Sequence, residues 1–111
     1  MSHYYESEDL KKFGAIGEHA KGLADDFFKY YGNVTGTDGA LTRREKALIA
    51  LAVSHAQKCP YCIDAYTTQC LETGANPEQM MEAVHVAAAM QAGITLVHSV
   101  QMQNHLKKLV L

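Results

Sequence analysis

Pro60 constrains the fold of this chain more than any other residue. It lies between Cys59 and Cys62, at the joint of two segments that each read as a helix. A proline pushes the residue before it out of the helical region, so the segment on its N-terminal side must stop by Lys58. The same proline suits the first position of a new helix, where a missing N–H is no loss. Cys59 then caps that helix, and Cys62 is its third residue. The other proline, Pro77, repeats the signal in Asn76-Pro77-Glu78, a cap followed by a first-turn proline and an acid.

The remaining elements follow from similar local signals. Ser7, followed by Glu8 and Asp9, reads as a helix start, and a short helix is expected to about Phe13. Gly14 and Gly17 interrupt it. Ile16, Ala20, Leu23, Ala24, Phe27 and Phe28 recur at three and four residues, which predicts a second helix from about Ile16 to Tyr31, ended by Gly32. Gly36, Asp38 and Gly39 mark a loop. Thr42-Arg43-Arg44-Glu45 matches the capping box, so a third helix starts there. Its body, Ala47 to Val53, is apolar all round and therefore buried.

A fourth helix runs from Pro60 to about Thr73, with Gly74 as its left-handed terminator. A fifth covers Pro77 to about Gln91, Gly93 interrupts, and a sixth continues to about Leu109. Lys107 and Lys108 then complement its dipole. No segment alternates as a strand does. The expectation is an all-α, single-domain bundle of about six helices over residues 1–111. The chain is 48% hydrophobic but has three Phe, six Tyr and no Trp. A short alanine-rich chain with few bulky anchors builds a modest core, so a homo-oligomer is expected.

Net charge of −2 and a pI of 6.3, without a basic face, argue against a nucleic-acid partner. The longest uninterrupted apolar run, Ala47–Val53, is seven residues, well short of the roughly 20 needed to span a membrane. The N-terminus has no apolar signal region. These features predict a cytoplasmic protein without a membrane partner. No Gly-x-Gly-x-x-Gly follows a strand, so no nucleotide cofactor is expected.

Three cysteines, two of them three residues apart, fit a redox or metal pair in a reducing compartment better than a disulfide framework. The thiolate is the reactive form, and the free N–H groups of a helix N-terminus stabilise an anion. Cys59 and Cys62 both lie in that field and are close enough to cycle between dithiol and disulfide. A zinc site needs two further ligands. His55 and Cys70 are the nearest, but the proline joint breaks their register, so no metal is expected. A thioredoxin fold would need a strand before the motif and a later proline opening a strand. Here a buried helix precedes it, and Pro77 opens a helix.

The run from Thr42 to Ser54, the Cys59-Pro60-Tyr61-Cys62 motif, the lead-in Gly39-Ala40-Leu41 and the later Glu82-Ala83-Val84-His85 resemble the carboxymuconolactone decarboxylase and alkyl hydroperoxidase D family. The resemblance covers most of the chain from about Phe27 onward. It implies an all-α fold, usually trimeric or hexameric, and, in members with both cysteines, reduction of hydroperoxides. One cysteine becomes a sulfenic acid, the other closes a disulfide, and a thiol reductant resets it. The resemblance implies attack by Cys62 and resolution by Cys59, whereas the helix-cap position favours Cys59 as the more acidic thiol. Both assignments stay open on sequence.

Two positions depart from the family pattern. Tyr66 stands where a histidine follows the second cysteine by four residues. Ala47 stands where a relay glutamate precedes the first by twelve, and the nearby Glu45 is accounted for as the capping partner of Thr42. In detail, Ser54-His55, Cys59–Tyr66 and His85-Val86-Ala87-Ala88-Ala89 resemble a peroxidase-like subgroup associated with arsenosugar biosynthesis.

The expected site is therefore Cys59 and Cys62, with His55 as the base that replaces the relay and Tyr66 as a hydrogen-bond donor. His55 shares an apolar face with Leu48, Leu51 and Ala52, where a packed histidine is equally in keeping. His85, Cys70 and the stripe His98, Met102 and His105 read as packing or surface, as do Tyr4, Tyr5, Tyr30 and Tyr31. The expected activity is thiol-dependent hydroperoxide reduction. The alternatives are a dithiol relay or thiophile-binding module, or a lactone decarboxylase that would not need the cysteines.

Overall fold

In a computed structural model describing residues 4–110, a 3-10 helix over Ser7–Gly17 leads into four α-helices. These are α1 (Lys21–Thr35), α2 (Arg43–Ala56), α3 (Pro60–Glu72) and α4 (Pro77–Val110). Among the described residues there is no strand, in keeping with the all-α expectation.

The joint between α2 and α3 has the predicted form. Thr42 and Glu45 make the full capping box at the start of α2: Glu45 N–H donates to Thr42 Oγ1, and Thr42 N–H donates to the Glu45 carboxylate. At its other end Lys58 N–H donates to His55 O and Cys59 N–H to Ser54 O. This is the two-bond Schellman termination. It requires a left-handed residue, and Lys58 takes that role at φ 54°. The end of α3 repeats the motif with Gly74 N–H on Leu71 O and Ala75 N–H on Cys70 O, Gly74 standing at φ 95°.

The two sites differ in one respect. A side chain in the left-handed region costs roughly 1–2 kcal/mol, which Gly74 avoids and Lys58 does not. Lys58→Gly is therefore expected to raise unfolding free energy by about 1 kcal/mol, and Gly74→Ala to lower it by a similar amount. A Cβ at Gly74 would meet nothing within 4 Å, so the effect there is purely one of backbone conformation. Denaturant unfolding of both variants checks the pair, and a shift of the same sign in the two would contradict it.

Three expectations are corrected. The N-terminal segment is a 3-10 helix rather than a short α-helix to Phe13 with a second helix starting at Ile16. In a 3-10 helix residues three apart eclipse. Leu10, Phe13 and Ile16 thereby line one face, while Glu8–Lys11 and Asp9–Lys12 form exposed ion pairs. The α-helix that follows starts only at Lys21 and passes through Gly32 to end at Gly36. Gly93 likewise does not interrupt, so the expected fifth and sixth helices are one 34-residue helix, α4. A glycine in a helix interior costs only about 1 kcal/mol relative to alanine, too little to break a helix without a proline.

The core is small. Ala47, Leu51, Cys70 and Ala75 are buried together, flanked by Leu48, Tyr66 and Met80. Packing is mainly α2 against α3 and α4. At 1.5 Å per residue α4 is about 51 Å long and α2 about 21 Å, so α4 runs well past the element it packs on. Between Glu82 and Lys107 it carries no Asp, Glu, Lys or Arg, and Met90, Leu96, Val97 and Val100 are among its exposed apolar residues. By length and composition alone this helix is also apolar enough to cross a membrane. Counting uninterrupted apolar residues missed it, because histidine, glutamine and serine punctuate the helix without charging it.

The chain exposes 8575 Å², whereas a compact monomer of its mass exposes about 6,000 Å². Its radius of gyration is 18.9 Å, against about 13 Å for a compact chain of this length.

Candidate functional site

Cys59 belongs to two helices at once. Its N–H closes the termination of α2, and its side chain caps α3. The backbone there is extended, at φ −100° and ψ 103°, which aims Sγ at the open N–H groups of α3. Cys59 Sγ accepts from Cys62 N–H at 3.4 Å. The two thiols are also hydrogen-bonded to each other, with the sulfurs 2.8 Å apart. That separation is well above the roughly 2.05 Å of a disulfide, and both cysteines are free thiols.

The two thiols are held in different electrostatic settings. The hydrogen bond from the Cys62 thiol, aided by the Cys62 N–H, holds Cys59 below the ordinary thiol range. Burial, with the hydrogen bond to Cys59, pushes Cys62 up to about 11. Of the two, Cys59 is therefore the more readily ionised and Cys62 the one that keeps its proton. Cys70, wholly buried in the core, is also raised by burial.

Both sulfurs line a cavity of about 510 Å³. The 3-10 helix supplies Leu10, Phe13 and Ile16, α1 supplies Phe28 and Tyr31, and α3 supplies Tyr61, Ala65 and Tyr66. Phe13 packs edge-on against Phe28, with ring centroids 5.0 Å apart. Gly17 brings the 3-10 helix close to α1, where a Cβ would lie 3.1 Å from that of Ala24. Ahead of the 3-10 helix, Tyr5 donates to Asp64 on α3 at 2.7 Å and packs edge-on against Tyr61. The N-terminal segment is thereby fastened across the cysteine site as one of its walls.

The expected helper residues separate. Tyr66 lies in the cysteine cavity, one turn beyond Cys62. His55 does not: its ring lines a second cavity, of about 350 Å³, between α2 and α4 with Lys58, Val84 and Gln91. Its Nδ1–H donates to Leu51 O at 2.8 Å. His85 and His98 are exposed on α4. Ala47, at the position of the relay glutamate, is buried in the core, and Glu45 is held by its capping bonds.

Tyr31, read from sequence as a packing residue, faces the cysteines and forms a hydrogen bond with Tyr66 through the two hydroxyls. Its spacing of three from Phe28 marks a shared face of α1, but its partner is 35 residues away and has no local signal. Among the described residues no three His, Cys, Asp or Glu are placed to hold a metal ion.

The sequence profile of the carboxymuconolactone decarboxylase family matches residues 22–103, a span from the start of α1 into the last part of α4. The chain is 43% identical over 91 residues to uncharacterized protein 4 in the cox locus of Paracoccus denitrificans, covering 80% of this chain and 82% of that protein. It is also 31% identical over 87 residues to an uncharacterized protein of Cupriavidus necator, covering 78% of this chain and 76% of that one. The matched span takes in the cysteine joint and nearly all of α1 to α3, while the 3-10 helix that forms the remaining wall of the cavity lies outside it. The chain belongs to the carboxymuconolactone decarboxylase family.

Proposed function

We propose that the protein reduces hydroperoxides through a Cys59–Cys62 dithiol/disulfide cycle, with Cys59 as the attacking thiolate. The observation that carries this reading is the pair itself: a helix-capping sulfur that accepts a backbone hydrogen bond, in contact with a second thiol, at the edge of a largely apolar cavity. In the first step the Cys59 thiolate attacks the terminal oxygen of ROOH. The S–O bond forms, the O–O bond breaks, and RO⁻ takes a proton to leave as ROH. In the second step the Cys62 sulfur attacks the Cys59 sulfenic acid. The S–S bond forms, and hydroxide leaves with the Cys62 proton as water. A thiol reductant then returns the pair to the dithiol by exchange.

Attack by Cys59 reverses the order implied by family resemblance. Two things support the reversal: the α3 N–H donates to Cys59 Sγ rather than to Cys62, and burial disfavours a Cys62 thiolate. His55 has no part in this reading, because it lies in the other cavity.

The working unit in this reading is a homo-oligomer whose subunits cover α4. The excess exposed area and the large radius of gyration support it, as does the uncharged stretch of α4. A second copy of the chain offers the same uncharged helix, and pairing alike surfaces is how symmetric assemblies close.

The test is stoichiometric treatment of the reduced protein with hydrogen peroxide or cumene hydroperoxide, followed by mass mapping of Cys59, Cys62 and Cys70. A 59–62 disulfide is expected, forming well above the rate of a free thiol, with Cys70 unmodified. Disulfide formation no faster than a free thiol would leave the dithiol relay as the better reading. Full activity on a lactone substrate with both cysteines replaced would leave the decarboxylase.

A further inference from the structure

The peroxide step needs a proton at the leaving oxygen, and the residues that would supply it by family resemblance are absent from this cavity. Glutamate is replaced by the buried Ala47, the histidine position holds Tyr66, and His55 faces the other side of α2. Beside Tyr61, which packs against Tyr5, and Asp9 and Lys12, which are paired with each other, the cavity holds two phenols joined to one another. Tyr31 comes from α1 and Tyr66 from α3, and their hydroxyls are hydrogen-bonded to each other on the wall shared with both sulfurs.

The count of hydrogens is informative. Two hydroxyls carry two hydrogens, and their mutual bond uses one. Among the described residues no other hydrogen bond is made by either hydroxyl, so the second hydrogen is left for an acceptor in the cavity. The pair is also held in place. The Tyr31 ring packs edge-on to Phe13 and against Phe27, at centroid distances of 6.3 and 5.3 Å, while Tyr66 is anchored against the core. Burial, with the bond to Tyr66, raises Tyr31 well above the ordinary phenol range, so Tyr31 keeps its hydrogen in the bond to Tyr66 and the hydrogen of Tyr66 is the one left to transfer.

We infer that Tyr31 and Tyr66 act as one donor unit that delivers the proton to the departing alkoxide. This rests on the peroxide reading above and adds the group that completes its first step. As the O–O bond breaks, the free hydroxyl hydrogen moves to RO⁻, giving ROH and a transient phenolate. The phenolate is reprotonated from solvent before the next turnover. The Cys59 sulfur gains the oxygen, and no outside oxidant beyond ROOH is needed.

The experiment measures single-turnover oxidation of reduced wild type, Tyr31→Phe, Tyr66→Phe and the double variant. Three electrophiles are used: cumene hydroperoxide, a peroxycarboxylic acid and iodoacetamide. An alkoxide must be protonated to leave, but a carboxylate or iodide need not be. Each single variant is expected to lose about 100-fold with cumene hydroperoxide, within the usual range for general-acid catalysis. The double variant should lose little more, because either change breaks the same unit. Rates with the peracid and iodoacetamide should change less than about threefold on the same principle of selective proton delivery.

Equal losses with all three reagents would make the tyrosines structural and overturn the inference, and so would no loss with any. A wild type no faster than a free thiol would remove the peroxide reading itself, a result distinct from a fast wild type whose Phe variants match it. The double variant keeps ring shape and leaves no hydroxyl without its partner, so it separates donation from damage to folding.

Discussion

Cys59→Ser is expected to abolish peroxide-driven oxidation of the protein, by at least about 10³-fold, as loss of a covalent nucleophile does. The same variant is expected to stay folded. Position 59 has to cap α3 with an acceptor, and serine is among the best residues for that task. Cys62→Ser should behave differently. The first step survives, since a hydroxyl still donates to Cys59 Sγ, but no disulfide can follow, and a sulfenic acid at Cys59 accumulates. Trapping with a sulfenic-acid reagent and mass mapping distinguishes the two.

The pH dependence follows from the shifts at the pair. Because Cys59 is held below the ordinary thiol range, its alkylation rate should rise through a midpoint below the roughly 8.5 of a free cysteine. Cys62→Ala removes the donor with the largest influence on Cys59, so in that variant the midpoint should move up. A sulfenic acid at Cys62 in Cys59→Ser, formed at wild-type rate, would return the attacking role to Cys62.

The second large effect is expected from charge placed on α4. Val97 and Val100 are exposed in the isolated chain, at 62% and 50%. If copies of the chain cover this helix, Val97→Glu with Val100→Glu buries two unpaired charges in the interface. Each such charge costs about 3–5 kcal/mol, so association should weaken by at least about 100-fold. Sedimentation or light scattering should show an oligomer for the wild type and a monomer for the variant at micromolar concentration. A monomeric wild type would remove the oligomer from the reading, and a wild type that floats with phospholipid vesicles would assign α4 to a membrane instead.

How much of this was legible in the sequence depends on how far each interaction reaches along the chain. The cap at Thr42, the stop at Lys58, the cap at Cys59 and the turn at Gly74 are set by residues within five positions of each other, and all are found where the local signals put them. The start signal at Ser7 fits a 3-10 helix as well as an α-helix, and Gly14 and Gly17 do not divide the segment. The continuity of α4 was hidden because glycine is a weak punctuator when nothing else ends a helix.

The site divides in the same way. Cys59, Cys62 and Tyr66, the cap and first two turns of α3, line one cavity, as their close spacing suggests. Tyr31 was not legible in this way, because it meets Tyr66 only through the packing of α1. His55 was placed on the wrong side because α2 is apolar all round. Its pattern does not say which face meets α3 and which meets α4.

Residue 59 also bears on how a family with this fold can change its chemistry. Two helices depend on that position, yet neither depends on sulfur: α2 uses only its N–H, and α3 only an acceptor on a short side chain. A lineage could therefore lose the thiol to serine, aspartate or asparagine in one mutational step or a few, keep its architecture, and later regain the thiol by the same route. The reactive group is in this sense detachable from the scaffold. Within such a family, the presence or absence of the cysteine pair should track what each member does far more closely than how it folds.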